Sequence, residues 1–198
     1  MTMLIIVAAS IAAFALVVLY PQQASAHCDT MDGPTAKDGK LALESKNLNY
    51  ALKWIEADGA EELRRIFDQS IKVRALGPDA RDLADQYFLE SLVRIHRAGE
   101  GAPFEGLKPS GVPVDEKVAA ADKSVETGDL APLAKLMASD LVPELEKRFA
   151  KVLKLKDYDA DDVDAGRAYV QAYVSFFKFA EGEDHDHDHR HGHGAHHH

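Results

Sequence analysis

Breaks in the sequence divide residues 35–180 into segments whose apolar residues recur at helical spacing. In the first segment Leu48, Leu52 and Ile55 lie three or four positions apart, which is the period of one face of an α-helix. Helix-favouring residues dominate, and no stretch of the sequence alternates polar and apolar residues over the length of a strand. The pattern predicts an all-α fold: an up-and-down helical bundle of four main helices plus shorter ones, joined by short loops.

Six helical segments follow from the positions of glycine and proline. They cover about residues 35–57, 60–76, 78–97, 115–126, 130–155 and 160–180. Pro143 predicts a kink in the fifth segment, because proline removes a helical hydrogen bond. Residues 103–114 contain three prolines and two glycines, which predicts a non-helical loop. We assign residues 27–182 to one domain, since about 150 residues are enough for a single core.

The chain opens on an apolar run without charge, residues 4–20. Pro21 and the small-x-small sequence of residues 24–26 follow, and this order is typical of a signal peptidase site. The run is also short for a membrane span, which needs about 20 apolar residues. We therefore expect residues 1–26 to be a signal peptide, cleaved after Ala26, which leaves a periplasmic or secreted protein without membrane contact. The alternative is an uncleaved membrane anchor.

Cleavage after residue 26 would make His27 the first residue and Cys28 the second. The new terminal amine, with a pKa of about 7.7–8.0, and the His27 ring could then chelate one metal ion, to which Cys28 adds a thiolate. Cys28 is the only cysteine, so no internal disulfide can form. In an oxidising compartment such a thiol is a metal ligand, a redox group or half of an intermolecular bridge in a homo-oligomer. The remaining alternative is an inert buried thiol.

The net negative charge and the histidine-rich C-terminal end indicate which partners the protein could bind. The sequence carries 33 acidic against 23 basic residues, a formal net charge of −10, which argues against nucleic acid or an anionic membrane as the main partner. Residues 183–198 hold eight of the ten histidines and are too polar to form a core, so we expect a disordered tail. The tail would capture a divalent transition ion weakly through alternating histidines: His185, His187, His189, His191 and His193. A purification tag would explain only its last residues, AHHH.

His96 is the other histidine outside the tail. It shares a helical face with Leu89 and Leu92, so its ring is expected to point inward or toward one end of the bundle. It is either a ligand that completes a metal site with the mature terminus or a solvent-facing histidine that the helix dipole favours.

Three charged residues accompany His96. Arg94 and Arg97 flank it and would either attract an anionic substrate or serve as ordinary cations at a helix C-terminus. Glu100 could orient the ring of His96.

Residues 27–34, HCDTMDGP, resemble the metal hook of nickel superoxide dismutases, whose mature chains begin with His-Cys-Asp and fold as four-helix bundles. The resemblance implies ligation by the amine and imidazole of His27 and by the backbone nitrogen and thiolate of Cys28. It also implies conversion of superoxide to oxygen and hydrogen peroxide. Asp32 stands where that family has its second cysteine. The stretches HCDTMDGP and VRIHRAGEGAPFEGLKP also resemble an uncharacterised family of exported bacterial proteins.

Loss of the second thiolate favours copper over nickel, because copper is bound tightest among the divalent first-row ions at such a site. The predicted metal ligands are His27, Cys28, His96 and Asp32, of which the first three would be catalytic. Asp32 could instead cap the helix that begins near Pro34. The main hypothesis is therefore an exported protein similar to superoxide dismutases. The alternative is a non-catalytic periplasmic copper or nickel buffer or chaperone, which the histidine-rich tail favours.

Overall fold

The computed structural model describes residues 28–182, and this part of the chain is all-α, as predicted. The proposed signal peptide, His27 and the histidine-rich tail lie outside the described residues, so the predictions made for them stay predictions. Within residues 28–182, no helix is both long enough and apolar enough to cross a membrane.

Eight α-helices and one 3₁₀ turn make up the described part of the chain. The α-helices are α1 (Pro34–Ser45), α2 (Asn49–Leu52), α3 (Ala60–Arg74), α4 (Pro78–Gly99), α5 (Glu116–Thr127), α6 (Ala131–Ala134), α7 (Val142–Leu155) and α8 (Val163–Glu181), and the 3₁₀ turn is Ala57–Gly59.

The prediction of one continuous helix over residues 35–57 is wrong. Helix α1 ends at Ser45, and Lys46 adopts the left-handed conformation with φ of 54°. The amide of Asn47 donates to the carbonyl of Ala42 at 3.1 Å, which is the bond that closes a Schellman-type helix end. The apolar spacing continues across this break because α2 packs against the same core.

The prediction of one helix over residues 130–155 is also wrong. Helix α6 ends at Ala134, and α7 begins only at Val142. Pro143 lies in the first turn of α7, where its missing N–H costs no helical hydrogen bond. A continuous helix would have lost that bond, so the proline marks a new beginning and not a kink.

The two most extensive helix–helix interfaces lie within the hairpins α3–α4 and α7–α8, and α1 lies along α4. Gly39 allows this close approach: a Cβ built there would lie 2.7 Å from the Cδ2 atoms of both Leu89 and Leu92. The interior is filled by aliphatic and aromatic side chains that are almost fully buried, among them Leu43, Leu52, Leu63, Phe88, Leu92, Leu145 and Phe176.

The segment before α1 is fixed by the non-helical loop that follows α4. Thr30 and Lys108 form a single parallel bridge. The amide of Lys108 donates to the carbonyl of Asp29 at 2.7 Å, and the amide of Met31 donates to the carbonyl of Lys108 at 2.9 Å. Residues 28–33 are therefore held against the body of the protein at the C-terminal end of α4.

Candidate functional site

Cys28, Asp29 and Thr30 are all buried, with at most 5% of each residue exposed. Oδ1 of Asp29 lies 3.5 Å from Nε of Arg97, whose side chain is equally buried. Burial raises the pKa of Asp29, although the charges of Arg97, Lys108 and His96 act in the opposite direction. The second residue of the predicted mature chain is thus enclosed by the protein, next to the end of α4.

His96 has one ring nitrogen occupied and one without a hydrogen-bond partner. Its Nδ1 lies 2.8 Å from the carbonyl oxygen of Trp54, and since a carbonyl can only accept, Nδ1 carries the proton that is donated. Nε2 is then left with a lone pair in the neutral ring. Only 5% of His96 is exposed, and Nε2 is buried without a hydrogen-bond partner. Its inward orientation is confirmed, and the solvent-facing alternative is wrong.

Trp54 can accept this bond because of the local fold. Helix α2 ends at Leu52, and the chain then turns before the 3₁₀ turn at residues 57–59. The Trp54 carbonyl points to the side chain of His96 across 42 positions of sequence. In metal-binding histidines the N–H of the ring nitrogen that does not bind the metal usually donates a hydrogen bond to a carbonyl or carboxylate in this way, which fixes the tautomer.

Glu100 lies beside the unpartnered nitrogen. Its Oε2 is 3.6 Å from Nε2 of His96 and 3.1 Å from Nη1 of Arg97. Its Oε1 is 3.3 Å from Nζ of Lys178. Glu100 therefore faces Nε2, whereas the hydrogen bond that orients the ring comes from Trp54.

The two arginines that flank His96 have different environments. Arg94 is 45% exposed and pairs with Glu62 at 2.6 Å. Arg97 is 5% exposed and lies between Asp29 and Glu100. Arg94 is thus engaged on the surface, and Arg97 links the N-terminal segment to the residue beside His96.

Asp32 is directed toward the loop after α4. Its Oδ2 accepts a hydrogen bond from the amide of Gly111 at 2.7 Å, and this bond is the main cause that lowers the pKa of Asp32. The residue that caps α1 is Gly33, and no side chain caps that helix. The capping role considered for Asp32 is therefore wrong, and its carboxylate holds the loop in place.

His96 borders an aromatic cluster that Trp54 and Tyr173 form. The ring of Trp54 lies edge-on to His96 at 5.6 Å and to Tyr173 at 6.0 Å between centroids. Tyr173 donates to Oδ1 of Asp122 at 2.6 Å. Burial raises the pKa of Tyr173 well above its ordinary value, and the charges of Asp122 and Cys28 raise it further.

A cavity of about 370 Å³ opens beside His96. Its walls come from the turn after α2, the end of α4 and one face of α8. Polar groups from all three converge on it: Lys53, Glu56, His96, Glu100, Arg167, Gln171, Ser175 and Lys178. The α8 contribution was readable in the sequence, because Arg167, Gln171, Ser175 and Lys178 recur at helical spacing on an otherwise aromatic helix. Nothing in the sequence indicated that the backbone carbonyl of Trp54 would contact His96.

Metal-ligating side chains are sparse around His96. Between residues 28 and 182, no group of three or more His, Cys, Asp or Glu side chains is arranged to hold a metal ion. At the end of α4 only two such side chains, His96 and Glu100, face each other. The imidazole and amine of His27 lie outside this part of the chain.

Comparison with known proteins yields a family and no further relative. Neither a curated protein nor a solved structure matches the chain. Residues 32–179 match a family-wide sequence profile described as "Family of unknown function (DUF6448)". That range takes in His96, Glu100 and Lys178. Since the match extends over well more than half of the sequence, the chain belongs to this family.

Proposed function

We propose that this protein, after export, binds one copper ion at its mature N-terminus and there converts superoxide to oxygen and hydrogen peroxide. The observation that carries the proposal is the buried Nε2 of His96, which has no hydrogen-bond partner while Nδ1 is held by the Trp54 carbonyl. A buried polar atom without a partner costs about 1–3 kcal/mol. A bound cation at Nε2 would remove that cost.

The position of Cys28 supports a site at this end of the molecule. The buried ion pair of Asp29 with Arg97 joins the start of the described chain to the helix that carries His96. His27 is covalently attached to the enclosed Cys28, and consecutive Cα atoms are about 3.8 Å apart. The terminal amine of a chain that begins at His27 is therefore tethered to this region.

The ligand set that we propose combines two sources. His27 supplies its terminal amine and imidazole, and Cys28 supplies its thiolate. His96 supplies Nε2. Glu100 is better placed than Asp32 to supply an oxygen, because its Oε2 lies 3.6 Å from that atom, whereas the Asp32 carboxylate is directed to the amide of Gly111 in the loop after α4. A mixture of nitrogen, sulfur and oxygen donors favours copper on affinity.

Bound copper would supply the one-electron chemistry: one superoxide loses an electron and leaves as O₂, and a second gains that electron and leaves as H₂O₂ with two protons from water. The protein's own residues hold the site in place. The Trp54 carbonyl fixes the tautomer of His96. Arg97 pairs with both Glu100 and Asp29, and the aromatic cluster keeps water from the buried side of the His96 ring.

A pair of proteins that differ at one end tests the proposal. Both end at Gly182, which removes the tail; one begins at His27, and the other has one alanine before it. Each is given one equivalent of copper in the presence of glycine as a weak competitor. We expect the first to retain one copper per chain and to accelerate superoxide decay. The extended form should do neither, because its amine no longer lies beside the ring.

Two further measurements complete this test. His96→Gln should weaken copper retention in the form that begins at His27, and equal retention by all three proteins would refute the site. Tight stoichiometric binding without superoxide decay would instead support a copper buffer or chaperone, the second candidate, which the eight histidines of residues 183–198 favour.

A further inference from the structure

We propose that the cavity beside His96 binds an α-amino acid with an aliphatic side chain, without the help of a metal ion. The volume of this cavity, about 370 Å³, falls within the range of about 300–1,000 Å³ that is typical of small-molecule sites. Such sites combine apolar walls with a few polar groups that orient the ligand. The cavity has both. Amino-acid binding there goes beyond the proposed function, because it needs neither copper nor His27.

The apolar wall of the cavity lies between charged residues. Val170 and Val174 line the cavity from α8 and share one helical face, because they are four positions apart. Along α8 they lie between Arg167 and Lys178, which line the cavity as well. Ile55 adds an apolar side chain from the turn after α2. An aliphatic ligand side chain that contacts these residues leaves water, which favours binding.

Two of the cations that line the cavity are engaged by other groups of the protein. Lys53 pairs with Asp38 at 2.9 Å and is 8% exposed. Arg167 donates from Nε to the carbonyl of Ile55 and from Nη1 to Asp164, each at 3.0 Å. These contacts give both side chains structural roles, so a ligand has to be recognised by other charged groups of the lining.

Glu56 is a carboxylate without a cation. It lines the cavity and is exposed, and its side chain has no ion-pair or hydrogen-bond partner among residues 28–182. Its stem passes next to Gly99, where a Cβ would lie 3.2 Å from Cγ of Glu56. Glu56 therefore belongs to the C-terminal end of α4, where Glu100 is the next residue of the chain.

Lys178 is a cation with donors to spare. Its side chain is 33% exposed, and within residues 28–182 its ion-pair partner is Glu100, 3.3 Å from Nζ. An ammonium group has three N–H donors, so donors remain for the carboxylate of a ligand. Because Glu56 passes over the residue before Glu100, Glu56 and Lys178 line the same end of the cavity.

These two residues favour a ligand that carries a cation and an anion close together. Nε2 of His96 is buried without a hydrogen-bond partner, and Oε2 of Glu100 lies 3.6 Å from it, so this side of the cavity is short of donors. A ligand ammonium would supply them, whereas a simple carboxylate would meet the negative charges of Glu56 and Glu100. A simple amine would leave the donors of Lys178 unused. An α-amino acid carries both charged groups on one carbon atom, which matches this arrangement.

The test uses leucine and the chain of residues 27–198, from which metal ions are removed with EDTA before dialysis. Trp54 is the only tryptophan and lines the cavity, so its fluorescence reports occupancy. Equilibrium dialysis with radiolabelled leucine gives the Kd and the stoichiometry. Two analogues serve as probes: 4-methylpentanoate lacks the ammonium group of leucine, and 3-methylbutylamine lacks its carboxylate. We expect one leucine per chain and a Kd about fivefold below that of either analogue, the effect of one partly exposed ion pair.

Two substitutions assign the charged contacts. Glu56→Gln should raise the Kd of leucine about two- to fivefold without weakening the binding of 4-methylpentanoate. Lys178→Gln should raise the Kd of leucine by a similar factor without weakening the binding of 3-methylbutylamine. The matched controls are Glu61→Gln and Lys72→Gln, at exposed positions of α3. They make the same changes in net charge and should leave the Kd of leucine unchanged.

Each contrary outcome overturns the amino-acid site. If dialysis finds no bound leucine, or if one analogue binds as tightly as leucine does, the cavity does not select a zwitterion. If Glu56→Gln and Lys178→Gln bind leucine as tightly as their controls do, leucine binds elsewhere. Because these measurements are made without metal, their failure leaves the copper site to be decided by the retention of copper, and loss of the copper site leaves them unaffected.

Discussion

His96 shows how far a single residue can be placed from sequence. Its inward orientation follows from its phase with Leu89 and Leu92, because residues at i, i+3 and i+7 share a helical face. Its hydrogen-bond partner does not follow, since the Trp54 carbonyl is brought there by a turn 42 positions earlier in the chain. The sequence could not distinguish Arg94 from Arg97 either, because their difference depends on a tertiary contact. The segment at Asp29 covers Arg97 and leaves Arg94 at the surface.

The two arginines should therefore differ in their contribution to stability. Arg97→Ala leaves Asp29 and Glu100 with a buried partner missing, and we expect a loss of about 3–5 kcal/mol in the free energy of unfolding. Arg94→Ala removes an exposed pair with Glu62 and should cost less than about 1 kcal/mol. Urea unfolding of both variants measures the difference, and equal losses would contradict the buried network.

Asp29 predicts a pH dependence with a definite sign. Burial raises its pKa above the ordinary value of 3.8, so the folded protein binds this proton more tightly than the unfolded chain does. Its contribution to stability therefore falls as pH rises from about 3.8 through the raised value in the folded state. Urea unfolding between about pH 4 and 7 should show stability declining with pH relative to Asp29→Asn. A rising difference would show that the ion pair with Arg97 outweighs burial.

Among the secondary-structure elements, helix boundaries were predictable where the signal is local. The Gly77-Pro78 pair begins α4, and Gly128, with φ of 76°, ends α5, close to the expected limits. The end of α1 was missed because Lys46 takes a left-handed conformation that glycine usually supplies. The separation of α6 from α7 was missed because Pro143 fits either a kink or a first turn, and only packing decides between them.

The contact between α1 and α4 predicts the effect of one methyl group. Gly39→Ala gains about 1 kcal/mol of helix propensity but places a Cβ at 2.7 Å from two buried leucine methyl carbons. Overpacking of this kind costs about 1–3 kcal/mol, so we expect no net gain and a loss of up to about 2 kcal/mol. Lys37→Ala, at an exposed position of the same helix, is the control and should change stability little. A clear gain from Gly39→Ala in urea unfolding would contradict the close approach.

At the scale of the whole molecule, three segments distant in sequence meet at the C-terminal end of α4. The segment that begins at Cys28 is enclosed at the end of α4 and tied to the loop at Lys108. The cavity beside His96 lies at the same end of α4 and carries a cation of α8 in an acidic protein. An all-α fold could be predicted from apolar spacing alone, but this convergence of three distant segments could not, because it depends on tertiary contacts. Cleavage after Ala26, as we predict, would create the terminal amine that the proposed site needs.

Mass spectrometry of the natural protein, isolated from its own cells and measured under both native and denaturing conditions, decides whether the proposed N-terminal copper site exists. Denaturing spectra give the first residue, and native spectra give the bound metal. We expect a chain that begins at His27 and carries one copper ion, and we expect His96→Gln to weaken the retention of that ion. A chain that retains its leader, begins at another residue or carries no metal would contradict the proposed site.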